Sequence, residues 1–201
     1  MLNVGLTGGI GSGKTIASKI FEVLGIPVYQ ADVAAKRLME SNPVLKNQLI
    51  EQFGNDAFVD GKLNRSYIAE IIFNDKEKLQ LINSLVHPYT IQDGIEWMKK
   101  QTSPYAIKEA ALIFESGSQS NFDYIIGISS PLTLRLNRTL KRDNINRELV
   151  LERMENQLDE ETKMKLCDFV LLNDERTLLT TQVLAVHEKL IALSKEQQPH
   201  D

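Results

Sequence analysis

The chain predicts an α/β fold: a five-stranded parallel sheet flanked by helices, with a helical insertion and a helical lid. Three observations lead there. Strand-like apolar runs alternate with helical ones, which implies parallel strands joined by right-handed crossovers. A glycine-rich segment, Gly8-Gly9-Ile10-Gly11-Ser12-Gly13-Lys14-Thr15, sits between the first strand and the first helix. The stretch from about Ser41 to Gln101 has helical spacing and lacks strands, so it reads as an insertion that could cap the acceptor side of a cleft. The 201 residues, 42% hydrophobic and 25% charged, suit one such domain with a real core.

In order, Leu2 to Leu6 is a short apolar strand and Ile16 to Leu24 an amphipathic helix ended by Gly25. Ile26-Pro27-Val28-Tyr29 is the second strand, with Asp32 just past it. Ala34 to Met39 starts a helix, and Pro43 restarts one to about Phe53. Gly54-Asn55 and Asp60-Gly61 mark turns. Helical spacing returns over 66–73 and 76–86. His87-Pro88 breaks it, because proline disfavours helix in the residue before it, and a further helix runs to about Gln101. Tyr105 to Phe114 is the third strand, interrupted by Lys108 and Glu109, and Phe122 to Ser129 the fourth. Pro131 to Leu166 is helical and charged. Phe169 to Leu172 is the fifth strand, Thr177 to Leu193 the closing helix, and the polar tail from Lys195 frays.

Residues 8–15 match G-x-x-x-x-G-K-[ST], the phosphate-binding loop, in its strand-loop-helix context. Glycines let the backbone present N–H groups to an anion, and the helix start adds free amides and the positive end of its dipole. Lys14 reaches the β and γ phosphates, and the Thr15 hydroxyl sits on Mg²⁺. An ordinary glycine-rich turn would not need four glycines in six positions. A nucleoside triphosphate with Mg²⁺ is the expected ligand.

Ligands of such a sheet collect at the carboxyl ends of its strands. That rule selects the Gly8 loop, Asp32, Glu115, Ser130 and Asn173. Asp32 comes one helix and one strand after Lys14, beside the phosphate loop. A kinase acting on a hydroxyl needs a carboxylate there to accept the proton. Asp32 could equally be the N-cap of a helix starting at Val33, and both roles can hold at once. Downstream, Arg135, Arg138, Lys141, Arg142, Arg147 and Arg153 face only Asp143, Glu148 and Glu152. Arg135, Arg138 and Arg142 share one helix face, where guanidinium forks suit a transferring phosphoryl group. A basic lid would also exclude water. The reading favours Arg138 and Arg142 in that role over a solvated face, and leaves Arg135 and Arg147 open.

The net charge of −4 argues against general nucleic-acid binding. Single Cys167 cannot form an internal disulfide and reads as a small buried hydrophobe. The first apolar run lacks a basic leader, and no run approaches the about 18 apolar residues of a membrane span. A cytoplasmic protein, with no membrane partner, is the expectation.

Thr7 to Lys14, Ala31-Asp32, His87-Pro88, Leu112-Ile113-Phe114-Glu115, Arg138-Thr139-Leu140-Lys141-Arg142-Asp143 and Asp168 to Asn173 together resemble the dephospho-CoA kinase family, in order and spacing. The resemblance implies a P-loop kinase fold and transfer of the γ-phosphate of ATP to the ribose 3′-hydroxyl of dephospho-CoA, the last step of coenzyme A synthesis. It implies a core of residues 1–40, 102–130 and 167–201, a helical substrate-binding domain of 41–101 and a lid of 131–166, in a monomer or weak homo-oligomer. Gly8, Gly9, Ile10, Gly11, Ser12, Gly13, Lys14, Thr15 and Ile16 would bind ATP, and Asn173 would lie near its adenine. Lys14, Asp32, Arg138 and Arg142 would carry catalysis. Asp32, Arg65, His87 and Glu115 would meet dephospho-CoA, although His87 and Glu115 have structural readings nearly as good and Asn173 could be a turn residue. This chain departs from the family pattern at Gln30, where an aspartate is usual, at Ala111 in place of proline, and at Arg135 in place of glutamine. Another small-molecule P-loop kinase would share core and lid. A guanine-nucleotide switch would need an N-K-x-D segment, which the chain lacks.

Overall fold

The structure is a computed structural model that describes residues 1–143 and 145–196. Strand β1 (Leu2–Thr7) leads through the glycine loop into α1 (Lys14–Val23) and then β2 (Val28–Gln30). There follow α2 (Ala31–Ser41), α3 (Pro43–Phe53), β3 (Phe58–Val59), β4 (Lys62–Leu63), α4 (Arg65–Asn74) and α5 (Lys76–Lys99). The chain returns through β5 (Tyr105–Glu109), β6 (Tyr124–Ser129), α6 (Leu132–Asp143), α7 (Arg147–Glu155), α8 (Glu160–Lys165), β7 (Phe169–Leu172) and α9 (Leu179–Glu196). It divides into two compact units, residues 1–29 with 101–201, and residues 30–100. Helix α2 therefore groups with the second unit.

The first unit is built on a five-strand parallel sheet in the order β2-β5-β1-β6-β7. β1 is central and both its faces are covered, so its residues are buried almost without alternation, although Asn3, Gly5 and Thr7 alternate with the large apolar side chains. It pairs with β5 from Leu2↔Tyr105 to Leu6↔Glu109, and with β6 from Val4↔Tyr124 to Thr7↔Gly127. One face packs Leu2, Val4 and Leu6 against Phe21 of α1 and Val183 and Leu190 of α9. Tyr105 meets Phe21 edge-on, and its hydroxyl lies 2.7 Å from His187 Nδ1. Burial supplies most of the stability here, at roughly 25 cal/mol per Å² of apolar surface. On the other face Cys167 is tucked beside Gly127. Its thiol donates to the Lys163 carbonyl at 3.3 Å, and burial first, with Asp168, pushes its pKa up to about 12, which suits an inert small side chain.

The second unit has its own core, with Leu38, Leu45, Leu49, Phe53, Ile68, Ile82 and Val86 at its centre. Its helices start where the sequence supplies caps. Asn42 Oδ1 accepts from Val44 and Leu45 N–H with Pro43 in the first turn, Asn64 caps α4, and Asp75 Oδ1 accepts from Glu77 and Lys78 N–H.

Several expectations are corrected. The 41–101 stretch contains a small antiparallel pair, Phe58↔Leu63 and Val59↔Lys62. Asp60 (φ 50) and Gly61 (φ 79) both take the left-handed conformation that a two-residue hairpin turn demands. Pro88 does not end a helix. α5 runs through it, because Ile82, Val86, Thr90, Gly94 and Met98 form one buried stripe across it. Packing of that continuous face offsets the roughly 3 kcal/mol cost of an interior proline. The 105–114 strand stops at Glu109, where β1 offers its last ladder partners. Residues 111–117 fold into turns instead, closed by Ser116 N–H to Leu112 O and Gly117 N–H to Phe114 O. The 131–166 stretch is three helices. Lys195 and Glu196 are still helical, and the rest of the expected frayed tail, 197–201, lies outside the described residues.

Candidate active site

The glycine loop joins the carboxyl end of β1 to the start of α1. Gly11 (φ 77) and Gly13 (φ 100) hold left-handed conformations that an L-residue rarely adopts. The first turn of α1 closes with Ile16 N–H on Gly13 O at 3.0 Å. The amides that precede it belong to a helix N-terminus, whose positive dipole end favours an anion. Lys14 Nζ donates to Gly8 O at 2.8 Å and Gly9 O at 3.3 Å, so its ammonium curls over the loop. Ser12 is buried, and its hydroxyl has no hydrogen-bond partner among the described residues. Thr15 and Ile16 are exposed on the first turn of α1, which leaves the Thr15 hydroxyl able to reach a cation. These residues fit a triphosphate with a divalent ion. No group of three His, Cys, Asp or Glu side chains that could hold a metal alone occurs among the described residues.

Helix α6 lies against this loop. A Cβ added at Gly9 would strike the Arg135 guanidinium, and one at Gly11 would strike the Arg135 carbonyl. The three arginines of the shared face have different fates. Arg135, with an 11% exposed side chain, meets Glu160 Oε2 at 2.7 Å and donates from Nε to Ser130 O at 3.1 Å. Arg138 Nη1 donates to Ser130 Oγ at 3.0 Å, and its Nη2 to Asn173 O at 3.3 Å and Glu175 Oε1 at 3.0 Å. Arg142 is 62% exposed and forks onto Asp143, at 2.6 Å and 3.0 Å. Arg147 opens α7 after Asn146, whose side chain accepts from Leu149 N–H. Asn173, just past β7, donates its amide to Ser12 O at 2.8 Å and so ties the fifth strand to the phosphate loop.

Glu115 is not a strand-end carboxylate. It lies on the turns after β5, where its Oε1 takes Lys163 Nζ at 2.7 Å and Leu158 N–H at 2.8 Å. Burial would raise its pKa, but the Lys163 hydrogen bond, the Leu158 amide and the lysine's charge outweigh it and hold the carboxyl below its ordinary value. Lys163 is 1% exposed and also donates to Ala111 O. Gln157 Oε1 accepts the Ile10 N–H of the phosphate loop at 2.9 Å. Glu160 Oε1 accepts from Ser130 N–H at 3.0 Å and Ser129 Oγ at 3.2 Å. Sequence reasoning missed Gln157, Glu160 and Lys163. They stand in a polar stretch that looks solvated, and only the tertiary fold turns them inward.

Asp32, Arg65 and His87 belong to the second unit, on three different helices. Helix α2 starts at Ala31, straight from β2, with Gln30 as its N-cap. Asp32 is therefore in the first turn and not the cap. It is exposed there, where a carboxylate complements the helix dipole. Arg65 opens α4, 61% exposed, at 3.5 Å from Glu40. His87 is half-buried in the middle of α5, and burial lowers its pKa.

Comparison with known proteins gives the family. The model of the family described as dephospho-CoA kinase matches residues 2–178. A dephospho-CoA kinase of Bacteroides fragilis (strain YCH46) is 33% identical over 184 residues, 91% of this chain and 90% of that protein. Among solved structures, TT1252 from Thermus thermophilus superposes with a TM-score of 0.77 at 29% identity, covering 98% of each chain. A dephospho-CoA kinase from Campylobacter jejuni does so at 0.69 and 26%, again over 98% of each. The chain belongs to the dephospho-CoA kinase family.

Proposed function

We propose that this chain transfers the γ-phosphate of ATP to the ribose 3′-hydroxyl of dephospho-CoA, giving coenzyme A and ADP, the last step of coenzyme A biosynthesis. The observation that carries the reading is the phosphate loop itself, whose glycine-built turn into the start of α1 and curled Lys14 suit a triphosphate, in a chain of this family. Asp32 accepts the 3′-hydroxyl proton as the new O–P bond forms and the bond to the β-phosphate oxygen breaks, and ADP departs. Lys14 and the amides of residues 13–15 hold the β and γ phosphates. The Thr15 hydroxyl would hold Mg²⁺, which would neutralise phosphate charge there. Arg142 leaves Asp143 for the transferring group, and Arg138 braces the nucleotide side beside Asn173. Arg65, His87 and Glu115 serve dephospho-CoA, with residues 30–100 as the acceptor unit and 131–166 as the lid. Among the described residues no helix is long and apolar enough to cross a membrane, and the enzyme works in the cytoplasm, as a monomer or weak homo-oligomer.

The test is direct. The protein is incubated with ATP, Mg²⁺ and dephospho-CoA, and coenzyme A is sought by mass. Formation of coenzyme A and ADP in equal amounts is expected. ATP binding without any coenzyme A would refute the acceptor assignment.

A further inference from the structure

Gln157, Glu160 and Lys163 recur at three-residue spacing, and each fastens a different strand-end loop. Gln157 holds Ile10 after β1, Lys163 holds Ala111 and Glu115 after β5, and Glu160 holds Ser129 and Ser130 at the end of β6 together with Arg135 of α6. We infer that this segment is a clasp on the phosphate loop, with Gln157 a positioning residue that sets the orientation of the Gly9–Ile10 peptide. The inference rests on the reading of residues 8–15 as the triphosphate site.

A peptide is planar and trans, so the Gly9 carbonyl points opposite to the Ile10 N–H. That plane turns about Gly9 ψ and Ile10 φ, and Gly9 has no Cβ to resist the first of these rotations. Gln157 Oε1 takes the Ile10 N–H at 2.9 Å and fixes the plane from outside the loop. The Gly9 carbonyl is then directed inward, where it accepts Ser12 N–H at 3.1 Å and Lys14 Nζ at 3.3 Å. Gln157 thus orients, through one peptide, both the tightest part of the loop and the ammonium that serves the phosphates. Gln157 is held in turn, because the next residue donates its N–H to Glu115, which is anchored by the buried Lys163.

The test is Gln157→Leu, which keeps the bulk and loses the acceptor. Affinity for a non-hydrolysable ATP analogue is measured by calorimetry, with the KM for dephospho-CoA and the melting temperature alongside. A rise of about tenfold or more in the analogue Kd is expected, with the dephospho-CoA KM within about twofold; a lost hydrogen bond to a partly buried donor is worth about that much. Gln157→Glu, which restores an acceptor oxygen, recovers most of the affinity at high salt, where its added charge is screened. An unchanged Kd in the leucine variant, or equal losses for both substrates, overturns the inference. Should leucine not fold, Gln157→Ser, too short to reach Ile10, is read by the same criteria. Nucleotide binding is scored without turnover, so a wild-type protein that binds ATP yet leaves dephospho-CoA untouched refutes the acceptor, not the clasp.

Discussion

Lys163 Nζ lies 2.7 Å from Glu115 Oε1, and the lysine is almost wholly buried while the carboxylate is 19% exposed. Removing one partner of such a pair strands the other. Lys163→Met should therefore cost about 3–5 kcal/mol in urea denaturation at neutral pH, whereas the joint change with Glu115→Gln should recover most of that loss. The pair also sets a pH dependence. The Glu115 carboxyl is held below its unfolded value, so its contribution is full above the ordinary carboxylate range and fades as pH falls through the lowered one. The stability gap between the wild type and the double variant should hold from pH 7 down to about pH 5 and shrink below that, towards about pH 3. A gap that stays constant over that range would show that the ion pair contributes nothing.

Asp32 sits exposed in the first turn of α2, without any capping duty to explain it. Asp32→Asn keeps the shape and removes the base. Turnover with dephospho-CoA should fall by about 10²–10⁴-fold, while ATP affinity and melting temperature stay near the wild-type values. Single-turnover measurements check this, and near-normal turnover would remove Asp32 from the role.

Much of this was legible in the sequence because it is written locally. The phosphate loop is recognisable from its own residues, β7 at 169–172 and α3 at 43–53 have sharp polar boundaries, and Asn42 with Pro43 announces a helix start. What was not legible depends on partners far along the chain. Glu115 follows an apolar run that looks like a strand, but β1 has no ladder left to offer beyond Glu109. Pro88 looks like a break until the buried stripe on both sides of it is known. Gln157, Glu160 and Lys163 resemble any charged surface, since nothing local reveals that their side chains turn towards three different loops. The arginine spacing of α6 could not say that Arg135 and Arg138 are held by protein acceptors while Arg142 is exposed.

That division among the arginines makes a second pair of variants informative. Arg138 bonds Ser130, Asn173 and Glu175, so Arg138→Ala should lower the melting temperature as well as activity. Arg142 contacts Asp143 on the surface, where an ion pair is worth about 0–1 kcal/mol, so Arg142→Ala should leave stability nearly unchanged. If it reaches the transferring phosphoryl group during turnover, kcat should nonetheless drop by about 10³-fold. A loss of less than about tenfold in kcat would assign Arg142 to a solvated face.

Gly11 and Gly25 offer a controlled comparison of what the loop demands. Both have positive φ, 77 and 81, so alanine carries a similar backbone penalty at either position, about 1 kcal/mol. Their surroundings differ. A Cβ at Gly25 meets nothing within 4 Å, while one at Gly11 falls against the Arg135 carbonyl and the Thr139 hydroxyl of α6. Backbone cannot give way as a flexible side chain does, so either α6 or the loop must move. Gly11→Ala should cost clearly more stability than Gly25→Ala, by about 1–3 kcal/mol, and should weaken ATP-analogue binding by tenfold or more. Gly25→Ala should leave that binding unchanged, because it closes α1 at the end away from the loop. Equal effects of the two substitutions on melting temperature and nucleotide affinity would mean that α6 does not rest on the phosphate loop in solution.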